Sequence, residues 1–157
     1  AILDAKEVNG DFHARFSAQL RSYEYLIINR RSPLTLYKNQ AWGVFKKLNI
    51  NEMKKAAVSF VGKHDFNAFR SIDCQSSSSI KTIQVCNVEK NDEYISFNIS
   101  AKSFLHSQVR IIVGTLVEVG KGKIEPEDIQ KIIESNDRKK AGPTAPAHGL
   151  YLVKVEY

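Results

Sequence analysis

Residues 80–88, IKTIQVCNV, and 93–101, EYISFNISA, decide the fold. In the second arm Ile95, Phe97, Ile99 and Ala101 alternate with Ser96, Asn98 and Ser100, the period of two that puts one side of a strand in a core and the other in water. Asn91-Asp92 supplies polar turn residues between the arms. A hairpin with one dry face needs a cover, and the flanking segments have the spacing to provide it. Residues 51–62 place Met53, Ala56, Ala57, Phe60 and Val61 at helical intervals, with Asn51 as the expected N-cap and Gly62 as the stop. From Ser103 to Gly120, Leu105, Val109, Ile112, Val113, Leu116 and Val119 repeat likewise. A shorter helix follows, with Pro126 in its first turn, Ile129, Ile132 and Ile133 inward, and the polar stretch from Asn136 to Lys140 ending it.

Two more strands complete the pattern. Residues 21–29, RSYEYLIIN, set Tyr23, Tyr25 and Ile27 against Leu26 and Ile28, which predicts a strand covered on both sides. Near the end of the chain Tyr151, Val153, Val155 and Tyr157 share one expected core face, and Leu150 and Leu152 point the other way. The order strand, helix, hairpin, two helices, strand predicts an α+β domain with helices packed on a mainly antiparallel sheet. No repeat or linker-like tract divides residues 1–157, and Ser76–Ser79 suits a loop, so one domain is expected.

Composition narrows the function. The 157 residues are 43% hydrophobic and 25% charged, the balance of a globular domain, and no apolar run reaches membrane-spanning length. Lysine and arginine number 23 against 17 acids, a net charge of +6 that favours a polyanionic partner. Cys74 and Cys86 are expected to be free structural thiols in a reducing, cytoplasmic setting. The chain opens on Ala1 with Met53 as its one methionine, so a longer protein is expected.

Most site chemistry has no signature here. His13, His64, His106 and His148 are scattered without ligand spacing, so no metal is expected. Gly-x-Ser-x-Gly is missing, and Gly120-Lys121-Gly122-Lys123 follows a helix where a phosphate loop precedes one, so it reads as a helix C-cap. Two features stand out. Arg21-Ser22-Tyr23-Glu24-Tyr25 carries two tyrosines on one strand face, and Arg110 lies among apolar neighbours four residues after His106. Such a guanidinium either snorkels to the surface or meets a carboxylate or phosphate.

These residues also carry a resemblance. Asp11-Phe12-His13-Ala14-Arg15-Phe16-Ser17-Ala18, Arg21-x-Tyr23-x-Tyr25, Gly62-x-His64-Asp65-Phe66-x-x-Phe69-Arg70, Phe104-Leu105-His106-x-x-Val109-Arg110-x-Ile112-Val113-Gly114 and Ala147-His148-Gly149-Leu150-Tyr151-Leu152-x-x-Val155 occur in one order. Together they resemble the C-terminal half of the bacterial tRNA pseudouridine synthase A family.

The resemblance implies an isomerase that turns uridine into pseudouridine at positions 38 to 40 of the tRNA anticodon arm, without cofactor or membrane and as a cytoplasmic homodimer. It implies catalytic roles for Tyr23, stacked on the flipped uracil, for Arg110, paired with a catalytic aspartate, and for Leu150, packed beneath the base. Arg15, Arg21 and Arg70 become candidate phosphate contacts. The family's aspartate motif, Gly-Arg-Thr-Asp-x-Gly-Val-His, has no counterpart here, since Asp11 matches a different segment. The chain is therefore expected to be inactive alone, and Arg110, lacking its partner, to tolerate Met. Ile111 stands where the family usually has asparagine. A domain that binds structured RNA without modifying it is the alternative, because charge and aromatic strands suit it equally.

Overall fold

The computed structural model describes residue 2 and residues 4–157. Its strands are β1 (Leu20–Ile28), β2 (Trp42–Gly43), β3 (Gly62–Asp65), β4 (Ile80–Asn91), β5 (Tyr94–Ala101) and β6 (Leu150–Glu156). The helices are α1 (Ile50–Val58), α2 (Gln108–Gly120) and α3 (Asp128–Ser135), with short 3-10 turns at Asn67–Phe69 and Ala147–Gly149. The sheet runs β2-β1-β5-β4-β3, and β6 also pairs with β1; among the described residues β1–β2 is the one parallel pairing and the others are antiparallel. This is the expected α+β architecture.

The hairpin forms with a tighter turn than expected. β4 and β5 pair from Asn91↔Tyr94 to Ile83↔Ala101, so the loop is Asp92-Glu93, and Asp92 takes the left-handed φ of 53° that an aspartate tolerates there. A bulge between Ile83 and Val85 changes the parity of β4, so that Ile83, Cys86 and Val88 all reach the core and Val85 is exposed. Across the sheet Tyr25 opposes Phe97 and Ile27 opposes Ile95, and these residues join α1, α2 and α3 in one buried cluster. On the other face Ser22 Oγ accepts from Ser100 Oγ at 2.8 Å, a polar pairing for half-buried strands. Cover on both faces is thus confined to the end of β1, where Tyr25, Ile27 and Ile28 are buried; Leu20–Glu24 is half-buried.

Several boundaries move, each for a local reason. Asn49, not Asn51, caps α1: its backbone is extended and its side chain accepts from the Glu52 amide at 3.4 Å. Gly62 opens β3 at φ 111° rather than simply stopping a helix, and Val61 is exposed. Pro126 lies just before the Glu127 cap of α3, while Ile129, Ile132 and Ile133 are buried as expected. Strand β6 is reversed in phase. Leu150 pairs with Tyr25 and so lies on the helix-covered side; Tyr151, Val153 and Tyr157 are exposed. Lys154 pairs with Ser22 and Leu152 with Tyr23, so Val153 is an extra residue that breaks the alternation on which the expected core face rested.

Candidate functional site

A cleft of about 970 Å3 opens where the N-terminal end of β1, the loop before α2 and the start of β6 meet. The helix start explains its shape. Sequence spacing puts Ser103–Ser107 in α2, but Ser107 adopts φ 62° and the helix begins at Gln108. The Gln108 side chain turns back and accepts the Leu105 amide at 2.8 Å, while the His106 amide points to Cys74 Sγ at 3.4 Å. His106 therefore sits on a loop and shares the cleft wall with Arg110, rather than stacking on it along one helix.

Tyr23, Arg110 and Leu150 converge on this cleft. Tyr23 is half-buried, its ring edge-on to Phe104 with centroids 5.4 Å apart, which fixes its plane and leaves it reachable. Arg110 enters from the first turn of α2. Its Nε donates to the Ala145 carbonyl at 2.7 Å, and the Ala145 amide donates to the Arg110 carbonyl at 3.1 Å. That acceptor corrects the expectation that Arg110 is unpartnered within the chain. Among the described residues its guanidinium makes no ion pair with a carboxylate.

The proposed phosphate contacts are placed unequally. Arg15 lines the cleft with its guanidinium over the Phe16 ring, 5.4 Å from the centroid. Arg21 also lines it, but its guanidinium donates to the carbonyls of Arg15 and Lys102 and so braces the rim. Arg70 is not in the lining; it donates to the Cys74 carbonyl at 3.2 Å and holds the neighbouring loop. Lys81 and Lys102 join the wall instead. No sequence periodicity singles them out, because each reaches the cleft through chain reversals distant in sequence. Among the described lining residues Arg15, Arg21, Lys81, Lys102 and Arg110 stand against a single acid, Asp73, so the cleft carries an excess of positive charge, the electrostatics that favour an anionic ligand.

The two thiols differ. Both are free. At Cys74 burial opposes ionisation, but donation from the Ser76 and His106 amides, with Arg70 and Lys81 nearby, outweighs it and holds the thiol below its ordinary range. Burial pushes the Cys86 thiol far up. Iodoacetamide at neutral pH is expected to alkylate Cys74 well before Cys86; peptide mass spectrometry showing equal labelling of the native protein would contradict this. Among the described residues no three histidine, cysteine or acidic side chains gather as a metal site, and no helix is long and apolar enough to cross a membrane.

Comparison with known proteins identifies the family. A family model described as tRNA pseudouridine synthase matches residues 56–157. The chain is 54% identical over 157 residues to a tRNA pseudouridine synthase A of Ehrlichia ruminantium (strain Welgevonden), covering all of this chain and 64% of the relative. It is 49% identical over 156 residues to the protein of that name from Wolbachia pipientis wMel, and 46% to that of Thermoanaerobacter sp. (strain X514), each covering 99% of the chain and 64% of the relative. The chain thus spans a little under two thirds of the length of these relatives. With the motifs from Gly62 to Val155 falling inside the matched region and overall identity near one half, the chain belongs to the tRNA pseudouridine synthase family.

Proposed function

We propose that residues 1–157 form the single C-terminal domain of an isomerase that converts uridine to pseudouridine in tRNA, at positions 38 to 40 of the anticodon arm. The convergence of Tyr23, Arg110 and Leu150 on one basic cleft is the observation that carries this reading. The reaction breaks the N1–C1′ bond, forms C5–C1′, releases the C5 proton, and adds a proton from solvent at N1, so that product and substrate have the same composition. A stem uridine must leave its stack first, at a cost of a few kcal/mol. Cations on the rim offset that cost through phosphate contacts, with Arg15 the best placed and Lys81 and Lys102 beside it.

Tyr23 then offers a ring to the extruded uracil, a stacking contact worth about 1–3 kcal/mol, and a hydroxyl to help move a proton. Leu150 packs beneath the base. The outer nitrogens of Arg110 meet an aspartate that the remaining third of the protein contributes, keeping it ionised as nucleophile or base. The reaction needs no cofactor or metal, and the whole protein acts as a cytoplasmic homodimer on tRNA.

Tritium release from tRNA carrying [5-3H]uridine tests the assignment. The full-length protein is expected to release label, and the present chain alone to stay at background for want of a nucleophile. Release by the chain alone would overturn the location of the nucleophile; no release by the full-length protein would overturn the function.

A further inference from the structure

The segments that carry Arg110's acceptor and Leu150 both meet one buried side chain, Tyr25. Tyr25 is fully buried, two residues beyond Tyr23 on the same strand face. Its hydroxyl donates to the Pro146 carbonyl at 2.6 Å. The preceding carbonyl, Ala145, is the one that accepts Arg110 Nε at 2.7 Å. Adjacent peptide units are thus clamped from two sides, by β1 through Tyr25 and by α2 through Arg110.

The ring has a second task. A methyl group on Gly149 would come within 2.8 Å of Tyr25 Cε1 and Cζ, so the ring lies flush against the backbone that leads into Leu150. Leu150 is also the cross-strand partner of Tyr25. Burial pushes the Tyr25 phenol well above its ordinary range while the Arg110 guanidinium pulls the other way, so the hydroxyl keeps its proton and remains a donor.

The geometry points to Tyr25 as a positioning residue, whose hydroxyl fixes the Ala145-Pro146 carbonyls and through them the guanidinium of Arg110. This rests on the catalytic role proposed for Arg110. Planar guanidinium recognition depends on angle as well as distance, and among the described residues Nε is the one Arg110 nitrogen that is engaged. Freed from Pro146, the loop lets the outer nitrogens swing away from the reacting centre. Binding of tRNA draws on the cationic rim and is not affected by that swing.

A double-mutant cycle on the full-length enzyme decides it. Tyr25→Phe keeps the ring and removes only the hydroxyl; it is expected to lower kcat by about 10- to 100-fold, the scale of a misplaced catalytic group, with KM for tRNA within about twofold. Arg110→Lys keeps the charge without the planar fork. In that background Tyr25→Phe is expected to cost no further kcat, because the two changes remove the same alignment. An equal loss in both backgrounds, or none in the parent enzyme, overturns the positioning role. If instead Arg110→Lys alone leaves kcat untouched, the role of Arg110 falls and this inference with it. A parent enzyme that releases no tritium contradicts the function itself. Circular dichroism and thermal melts of Tyr25→Phe guard against a trivial folding effect: the ring that fills the site is kept, so the fold is expected to stay intact while kcat falls.

Discussion

Arg110→Met in the full-length protein is expected to slow pseudouridine formation by about 10²- to 10³-fold, the usual consequence of removing one preorganised electrostatic partner. Binding of tRNA is expected to stay within a few-fold, because the other cleft cations remain. Single-turnover rates at saturating tRNA, beside filter-binding affinities, separate the two effects. Weak binding with a normal saturated rate would make Arg110 a phosphate contact. The stability arm differs from what the sequence implies. An arginine with no partner could be replaced at no cost, but here the change orphans the Ala145 carbonyl, a loss of about 1 kcal/mol before apolar gains.

Gly114→Ala is expected to be the most destabilising of the conservative changes, by about 3 kcal/mol or more. A Cβ at Gly114 would lie 1.7 Å from the Pro143 carbonyl oxygen, and the obstacle is backbone, which cannot swing aside. The segment it would push is tied down along α2. The Gly142 amide donates to Thr115 Oγ1 at 2.9 Å, Thr115 Oγ1 donates to the Ile111 carbonyl at 2.8 Å, and the Arg138 guanidinium holds the carbonyls of Ala141 and Gly142. Relief of the clash therefore moves Ala145, and Arg110 with it. Thermal melts should show a fall of roughly 6–12 °C, along with a reduced kcat. Gly10→Ala, with nothing within 4 Å of its new methyl, is the control. Equal melting temperatures for the two variants would mean that this segment is not locked against α2.

How much of this was legible in the sequence depends on whether the signal was local. The alternation in Tyr94–Ala101 and the helical stripe through Val109–Val119 are periodic, and both elements appear as read. Trp42–Gly43 and Gly62–Asp65 are too short to show a period, and their pairing with β1 and β4 is a tertiary decision. The early start read for α2 failed because Phe104, Leu105 and His106 continue the apolar spacing while Gln108 and Cys74 compete for their amides. On β6 the expected core face fails already at Tyr151, which opposes Glu24 and is exposed before the irregularity at Val153, because alternation separates the two faces of a strand without saying which of them is covered. Tyr23, Arg110 and Leu150, the residues proposed for the site, rest on the order of five motifs rather than on spacing. Lys81 and Lys102 were missed because proximity across a fold leaves no periodic trace.

The pairing of β1 with β6, Leu20 against Glu156, also sets a timetable. On the ribosome, β1 emerges more than a hundred residues ahead of its partner, and at 5–20 residues per second the interval is on the order of ten seconds. Throughout it, one edge of the strand bearing Tyr23 and Tyr25 lacks its mate, while β5 on the other side becomes available sooner. Long-range strand closure is intrinsically slow. The cleft wall at Leu150 is therefore among the final pieces to be put in place, and a nascent chain interrupted before that point would carry a folded hairpin and helices without a competent site.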